Sequence, residues 1–206
     1  NNHGGMLHLR LREGLLIVVV AVCVFIFVTL LIYSSSDPGW SRTGDGNGVA
    51  NAGGPVGAWM ADIFYALFGY MAYLFPAMLA FRAWRLFQAR SEPVGFDSLL
   101  FALRVVGFLL VMIASTALVA NEQSSSGSLP FGAGGVLGDA VGTAVLDAFN
   151  HFGSRLILLA ILLFGMTVFT DLSWIVLAER LGALVLGIGQ KVPAWFAQRR
   201  EQRAER

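Results

Sequence analysis

The 206-residue sequence is poor in the residues that carry chemistry. It has one cysteine, Cys23, three histidines and one lysine, and 13% of its residues are charged, against roughly 25% in an average soluble domain. A lone cysteine excludes an intrachain disulfide and a cysteine metal cluster; inside an apolar run it reads as a small packing residue. The only lysine, Lys191, stands between Gln190 and Val192. The glycine-rich loop that ends in Lys-Ser or Lys-Thr, whose ammonium must reach nucleotide phosphates, is therefore not encoded. Gly132, Gly134, Gly135 and Gly138 imitate a phosphate loop in composition, but no strand pattern precedes them. There is no Gly-x-Ser-x-Gly elbow and no His-Glu-x-x-His pair. The net charge of +1 is no basic excess of the kind that recruits nucleic acid. No residue is read as catalytic or as a metal ligand, and no cofactor is implied.

Apolar residues are abundant, at 56% of the total. A bilayer core about 30 Å thick takes ~20 mostly apolar residues in a helix, because hydrocarbon offers no partner to an unbonded backbone group. Four stretches qualify: 15–33, 58–81, 99–120 and 155–178, the last allowing a break at Asp171. They predict an all-α integral membrane fold of four transmembrane helices. The first run lacks the small-x-small pattern of a cleaved signal peptide at Tyr33, Ser34 and Ser35, so it is read as a retained span. Between and around the spans lie a flank at 1–14, loops at 34–57, 82–98 and 121–154, and a helix leading into a linker at 179–206. The start at Asn1 and the charged run from Arg199 to Arg206 read as the ends of a piece of a longer protein.

Basic residues near span ends set orientation. Eleven fall in 1–14, 82–98 and 179–206, whereas the other two loops hold Arg42, with Arg155 at the edge of the fourth span. Both termini are expected in the cytoplasm, with 34–57 and 121–154 outside.

In the first outer loop Asp37-Pro38-Gly39 is a turn signal, since proline presets φ and glycine tolerates positive φ. Trp40 and Trp59 bracket the loop and suit the headgroup interface. Asp37, Trp40, Gly53, Gly54 and Trp59 are the candidates for a loop fold or partner surface; a flexible connector with interfacial anchors is the plainer reading. In the second outer loop Gly134, Gly138 and Gly142 recur every four residues, a smooth stripe for close helix packing. Asp139, Thr143, Asp147 and His151 form a polar stripe beside an apolar face. This pattern predicts an amphipathic helix over about 135–152, lying along the interface or dipping in as a re-entrant element. Asp147 and His151, one turn apart, read as a solvated face in preference to a metal site.

Two charges sit at membrane depth, Arg104 and Asp171. At 1.5 Å per residue both fall roughly 10 to 12 Å from the cytoplasmic boundary. They could form a partly buried ion pair between spans three and four, or line an ion path in a small transporter or channel. Alternatively, Arg104 snorkels to the interface and Asp171 caps a separate helix.

The order of these features resembles the N-terminal membrane domain of the bacterial cell-division DNA translocases, the FtsK family. The residues that carry the resemblance are Ser36-Asp37-Pro38-Gly39-Trp40-Ser41 and the run from Asn51 to Asp62, then Phe68-Gly69, Ala72-Tyr73 and Pro76. Leu103-Arg104-x-x-Gly107, Gly134-Gly135-x-x-Gly138, Phe169-Thr170-Asp171-Leu172-Ser173-Trp174 and Ala178-Glu179-x-Leu181-Gly182 follow in order. The family's Phe-Thr-Gly-x-Ser-Trp run has glycine where this sequence has Asp171. The resemblance implies a four-span anchor in the bacterial inner membrane at the division septum, with the lipid bilayer and other cell-division membrane proteins as partners. It further implies a homo-oligomer, hexameric through an ATP-driven motor that lies outside this sequence, with DNA bound only by that missing C-terminal region.

Overall fold

Long uncharged runs fold as long helices. The computed structural model describes residues 2–46, 48–88, 97–122, 129–171, 173, 176, 179, 182 and 183. Its α-helices are α1 (Asn2–Leu31), α2 (Gly54–Phe68), α3 (Leu74–Gln88), α4 (Ser98–Glu122) and α5 (Gly135–Thr170), with a 3-10 turn at Gly69–Tyr73 between α2 and α3. Four stretches are long and apolar enough to cross a membrane: Glu13–Leu31, Gly54–Gln88, Ser98–Glu122 and Gly135–Thr170. The all-α, four-span fold expected from the hydrophobic runs is the one observed. The chain divides into two units, Asn1–Thr170 and Asp171–Arg206. All five helices belong to the first, and the helix expected at 179–206 lies largely outside the described residues.

Local chemistry explains the helix ends. The Asp97 carboxylate accepts the backbone N–H groups of Leu99 at 3.0 Å and Leu100 at 3.2 Å, an N-cap for α4. Pro76 stands in the first turn of α3 and has no N–H to give to a preceding turn, which separates α3 from the residues before it. Gly69 turns the chain with φ 56° and ψ −138°, a conformation that glycine reaches without penalty. The next N–H, that of Tyr70, leaves the helix and donates to the Ala133 carbonyl at 2.9 Å. Asn150 interrupts α5 with φ 56° and ψ 178°, dividing it into 135–149 and 151–170.

In lipid, apolar burial brings no transfer gain, so helices associate through close packing and hydrogen bonds. One close seam joins α4 to the second half of α5. A Cβ on Gly107 would stand 2.8 Å from the Phe169 nitrogen, and one on Gly165 would stand 2.9 Å from Leu110 Cβ. Helix α3 packs on α1, and Tyr73, the last residue of the 3-10 turn before it, sets its ring edge-on to Phe27 at 5.8 Å. The two pairs meet through aromatic rings: Phe75 on Phe108 at 5.4 Å, Phe108 on Phe169 at 5.9 Å, and Phe81 on Phe169 at 6.4 Å. Met78 and Val111 are buried among them.

Helix α2 does not run alongside α1. At its start, Gly53 and Gly57 both press on the Thr29 side chain, where a Cβ would come within 2.5 and 2.7 Å of Thr29 Cγ2. Near its end, the Tyr65 hydroxyl donates to the Leu30 carbonyl at 2.9 Å. Helix advances about 12 Å from Gly57 to Tyr65, yet both ends touch two adjacent residues of α1. Helix α2 therefore lies across the C-terminal end of α1. The first half of α5 likewise stays at the C-terminal end of α4, with Gly134, Gly138 and Gly142 against Thr116–Asn121.

Candidate functional site

The loop from Ile32 to Gly53 is built around two buried carboxylates and one buried amide. Asp37 is 4% exposed and accepts the N–H of Ala50 at 2.7 Å and of Asn51 at 2.9 Å. Those two bonds bring the far side of the loop back to its start. Asn51, also buried, then ties the loop to α1: its Nδ2 donates to the carbonyls of Thr29 at 2.8 Å and Ile32 at 3.1 Å. Its Oδ1 accepts the Gly53 N–H at 2.9 Å. One side chain thus satisfies carbonyls left over at the end of α1 and an amide at the start of α2. Within the loop, the Gly39 N–H donates to the Arg42 carbonyl at 2.9 Å and the Asp45 N–H to the Ser36 carbonyl at 3.0 Å.

The second carboxylate is Asp62, nine residues into α2 and 1% exposed. It accepts the Ser41 N–H at 2.6 Å, the Ser41 hydroxyl at 2.9 Å and the Tyr33 hydroxyl at 3.2 Å. Arg42 stands 3.8 Å from it and also donates to the Ser35 carbonyl at 3.0 Å. Gly39 packs so closely on Asp62 that a Cβ there would stand 2.6 Å from the carboxyl carbon. Burial, offset in part by Arg42 and reinforced by the Asp62 carboxylate, pushes the phenol of Tyr33, beyond the end of α1, up to about 12. Below this network the Tyr65 hydroxyl lies 2.6 Å from that of Tyr73, which also reaches the Leu30 carbonyl at 3.2 Å.

The candidate residues fall into two groups. Asp37, Gly53 and Gly54 are part of the loop's framework: Asp37 is linked through Asn51 to Gly53, and Gly54 opens α2 with φ 63°. Trp40 and Trp59 are 54% and 50% exposed. The sequence reading misses the roles of Asn51, Ser41 and Tyr33, and that of Asp62, which stands inside α2. The available signal is Asp62 itself, the one charged residue between Gly53 and Phe81. A carboxylate in such a run needs partners.

Gly134, Gly138 and Gly142 pack against α4. A Cβ on Gly134 would stand 2.6 Å from Ala120 Cβ, one on Gly138 2.7 Å from the Thr116 carbonyl carbon, and one on Gly142 2.7 Å from Asn121 Oδ1. Asp139, Asp147 and His151 are exposed on α5, and among the described residues no three His, Cys, Asp or Glu side chains come together as metal ligands. Arg104 is half-buried on α4. Asp171 belongs to the other unit and is exposed, with φ 58°. What the loop can do chemically is hold a fixed shape: the buried Asp37, Asn51 and Asp62 side chains are spent on groups of the loop and the adjoining helix ends, and the indoles of Trp40 and Trp59 are exposed.

No solved structure matches the chain. The chain is 39% identical over 201 residues to the DNA translocase FtsK of Pseudomonas putida, covering 96% of this chain and 24% of that protein. It is 39% identical over 202 residues to that of Pseudomonas aeruginosa, covering 97% and 25%. With the DNA translocase FtsK of Shewanella oneidensis the identity is 39% over 173 residues, covering 84% and 19%. The chain thus spans about a quarter of the length of the curated relatives it matches. The family described as the 4TM region of DNA translocase FtsK/SpoIIIE matches residues 9–182, a stretch that takes in all of the spans and the folded loop, and the chain belongs to that family.

Proposed function

We propose that this chain is the membrane anchor and division-site interaction domain of a DNA translocase that couples chromosome segregation to cell division. The carrying observation is the match to the 4TM region over 9–182, set against relatives about four times as long. The remainder of such a protein supplies the ATP-driven motor, the DNA contacts and hexamer formation; this part holds the motor at the inner membrane. Anchoring confines the motors to one site and raises their effective concentration for assembly. Orientation follows from basic residues: Arg10, Arg12, Arg82 and Arg85 at one set of span ends favour a cytoplasmic location for both termini. The loop around Asp37 and Asp62 then faces outward, where its fixed shape suits recognition by other division proteins.

Fusion of the chain to a fluorescent protein and imaging of dividing bacteria tests the division-site role. A band at midcell is expected, and uniform perimeter fluorescence overturns it. Orientation is tested with Thr43→Cys in a Cys23→Ala background. A membrane-impermeant maleimide is expected to label this cysteine from the periplasmic side, and labelling only after the membrane is breached reverses the topology.

A further inference from the structure

We infer that α2 is a bilayer-surface helix whose exposed face is seated among lipid acyl chains, and that the second membrane crossing is made by the 3-10 turn and α3 alone. Three observations carry this. The first is length: Gly54–Gln88 is 35 residues, about 50 Å of helix at 1.5 Å per residue, far more than a core about 30 Å thick. Residues 69–88, the 3-10 turn with α3, supply 20 residues, enough for one crossing.

The second is direction. Tyr73 at the top of this crossing sits against Phe27 and Leu30, so α3 matches α1 from the start of its own length. Nothing of the α1 span is left for α2 to accompany, and α2 crosses the end of α1 instead, at Thr29 and Leu30.

The third is the chemistry of the α2 surface. Asp62 is the only charged side chain in α2, and it is turned inward to Ser41 and Tyr33. Pro55, Val56, Trp59 and Leu67 are exposed. A helix resting on water carries a polar face, as the first half of α5 does with Asp139, Thr143 and Asp147 exposed. Helix α2 has none. At the end of α1 that α2 crosses, Leu31 and Ile32 are likewise 59% and 44% exposed. Trp59 on the exposed face of α2 supplies an indole of the kind enriched at headgroup level. The acyl chains of the adjoining leaflet are thus the occupant that matches the surface.

The test is a depth measurement by spin labels on the chain in phosphatidylethanolamine and phosphatidylglycerol vesicles, in a Cys23→Ala background. Labels at Val56→Cys and Leu67→Cys, both exposed positions, are eleven residues apart, about 16 Å along a helix. Equal depth within about 4 Å, with relaxation by oxygen and little by aqueous nickel, is the expected result. The equally spaced pair Val20→Cys and Leu31→Cys on α1 calibrates it, with depths expected to differ by about 16 Å. A difference of about 16 Å between positions 56 and 67 would make α2 an upright half of the span and overturn the inference. Relaxation by nickel at equal depth would place α2 in water, and shielding from both reagents would mean that a second copy or another protein covers it; either also overturns it. Quenching of Trp59 by brominated lipids, in a chain whose other tryptophans are phenylalanine, reads the same depth without a label.

Discussion

The Asp62 carboxylate accepts the backbone N–H of Ser41 at 2.6 Å across 21 residues of chain, so a side chain from the middle of α2 holds the loop that precedes it. Asp62→Ala leaves two donors of Ser41 and the Tyr33 hydroxyl without their acceptor. One buried group left unsatisfied costs about 1 to 3 kcal/mol. The expected loss is about 3 kcal/mol, read as a lower unfolding temperature in detergent and as new protease cleavage within 34–53. Asp62→Asn retains an acceptor oxygen and is expected to lose about 1 kcal/mol.

Asn51 serves three backbone groups: one in α1, one just past its end and one at the N-cap of α2. Asn51→Ala is expected to cost about 2 kcal/mol. Asn51→Asp should cost more, because it replaces the donating amide with an oxygen facing the carbonyls of Thr29 and Ile32. Thermal unfolding of the two variants side by side checks the order, and an Asp variant as stable as the parent would contradict the donor role.

The seam between α4 and α5 depends on the absence of side chains. Gly107→Leu must displace the Phe169 backbone and is expected to destabilise by about 3 kcal/mol, the upper range for overpacking. Gly14→Ala meets nothing within 4 Å and replaces a glycine inside α1, so a gain of up to about 1 kcal/mol is expected. Opposite signs for the two substitutions, measured by unfolding in the same detergent, distinguish packing from a general intolerance of substitution.

Asp171 has φ 58°, just past the last residue of α5. This is the left-handed conformation that commonly ends helices, usually at glycine, and it costs other residues roughly 1 to 2 kcal/mol. Asp171→Gly is accordingly expected to raise stability by about 1 kcal/mol. A loss of stability on this substitution, abolished in an Arg104→Leu background, would instead assign Asp171 to an ion pair.

The four long apolar runs are legible because hydropathy accumulates residue by residue and needs no knowledge of neighbours. The glycine spacing at 134, 138 and 142 is legible for the same reason: a period of four marks one helix face. The loop framework is not. Asn51 meets Thr29, 22 residues away, and Asp62 meets Ser41, 21 residues away; neither distance leaves a period in the sequence. The direction of α2 is hidden as well, since an apolar run has the same composition across a bundle as along it. The break at Gly69 depends on Ala133, whose carbonyl takes the Tyr70 N–H from 63 residues away. Asp171 is the informative exception: where the resemblance implies a glycine, the backbone takes a left-handed conformation at the helix end.

The end of α1 is closed by groups that come much later in the chain. The carbonyls of Thr29, Leu30 and Ile32 receive Asn51, Tyr65 and Tyr73, up to 43 residues downstream. During synthesis α1 therefore leaves the ribosome with these acceptors open, and they stay open until the first residues of the following crossing have emerged. The first two crossings are thereby one unit of biogenesis: α1 enters the membrane first, but its C-terminal end is finished only when the chain has turned back toward it.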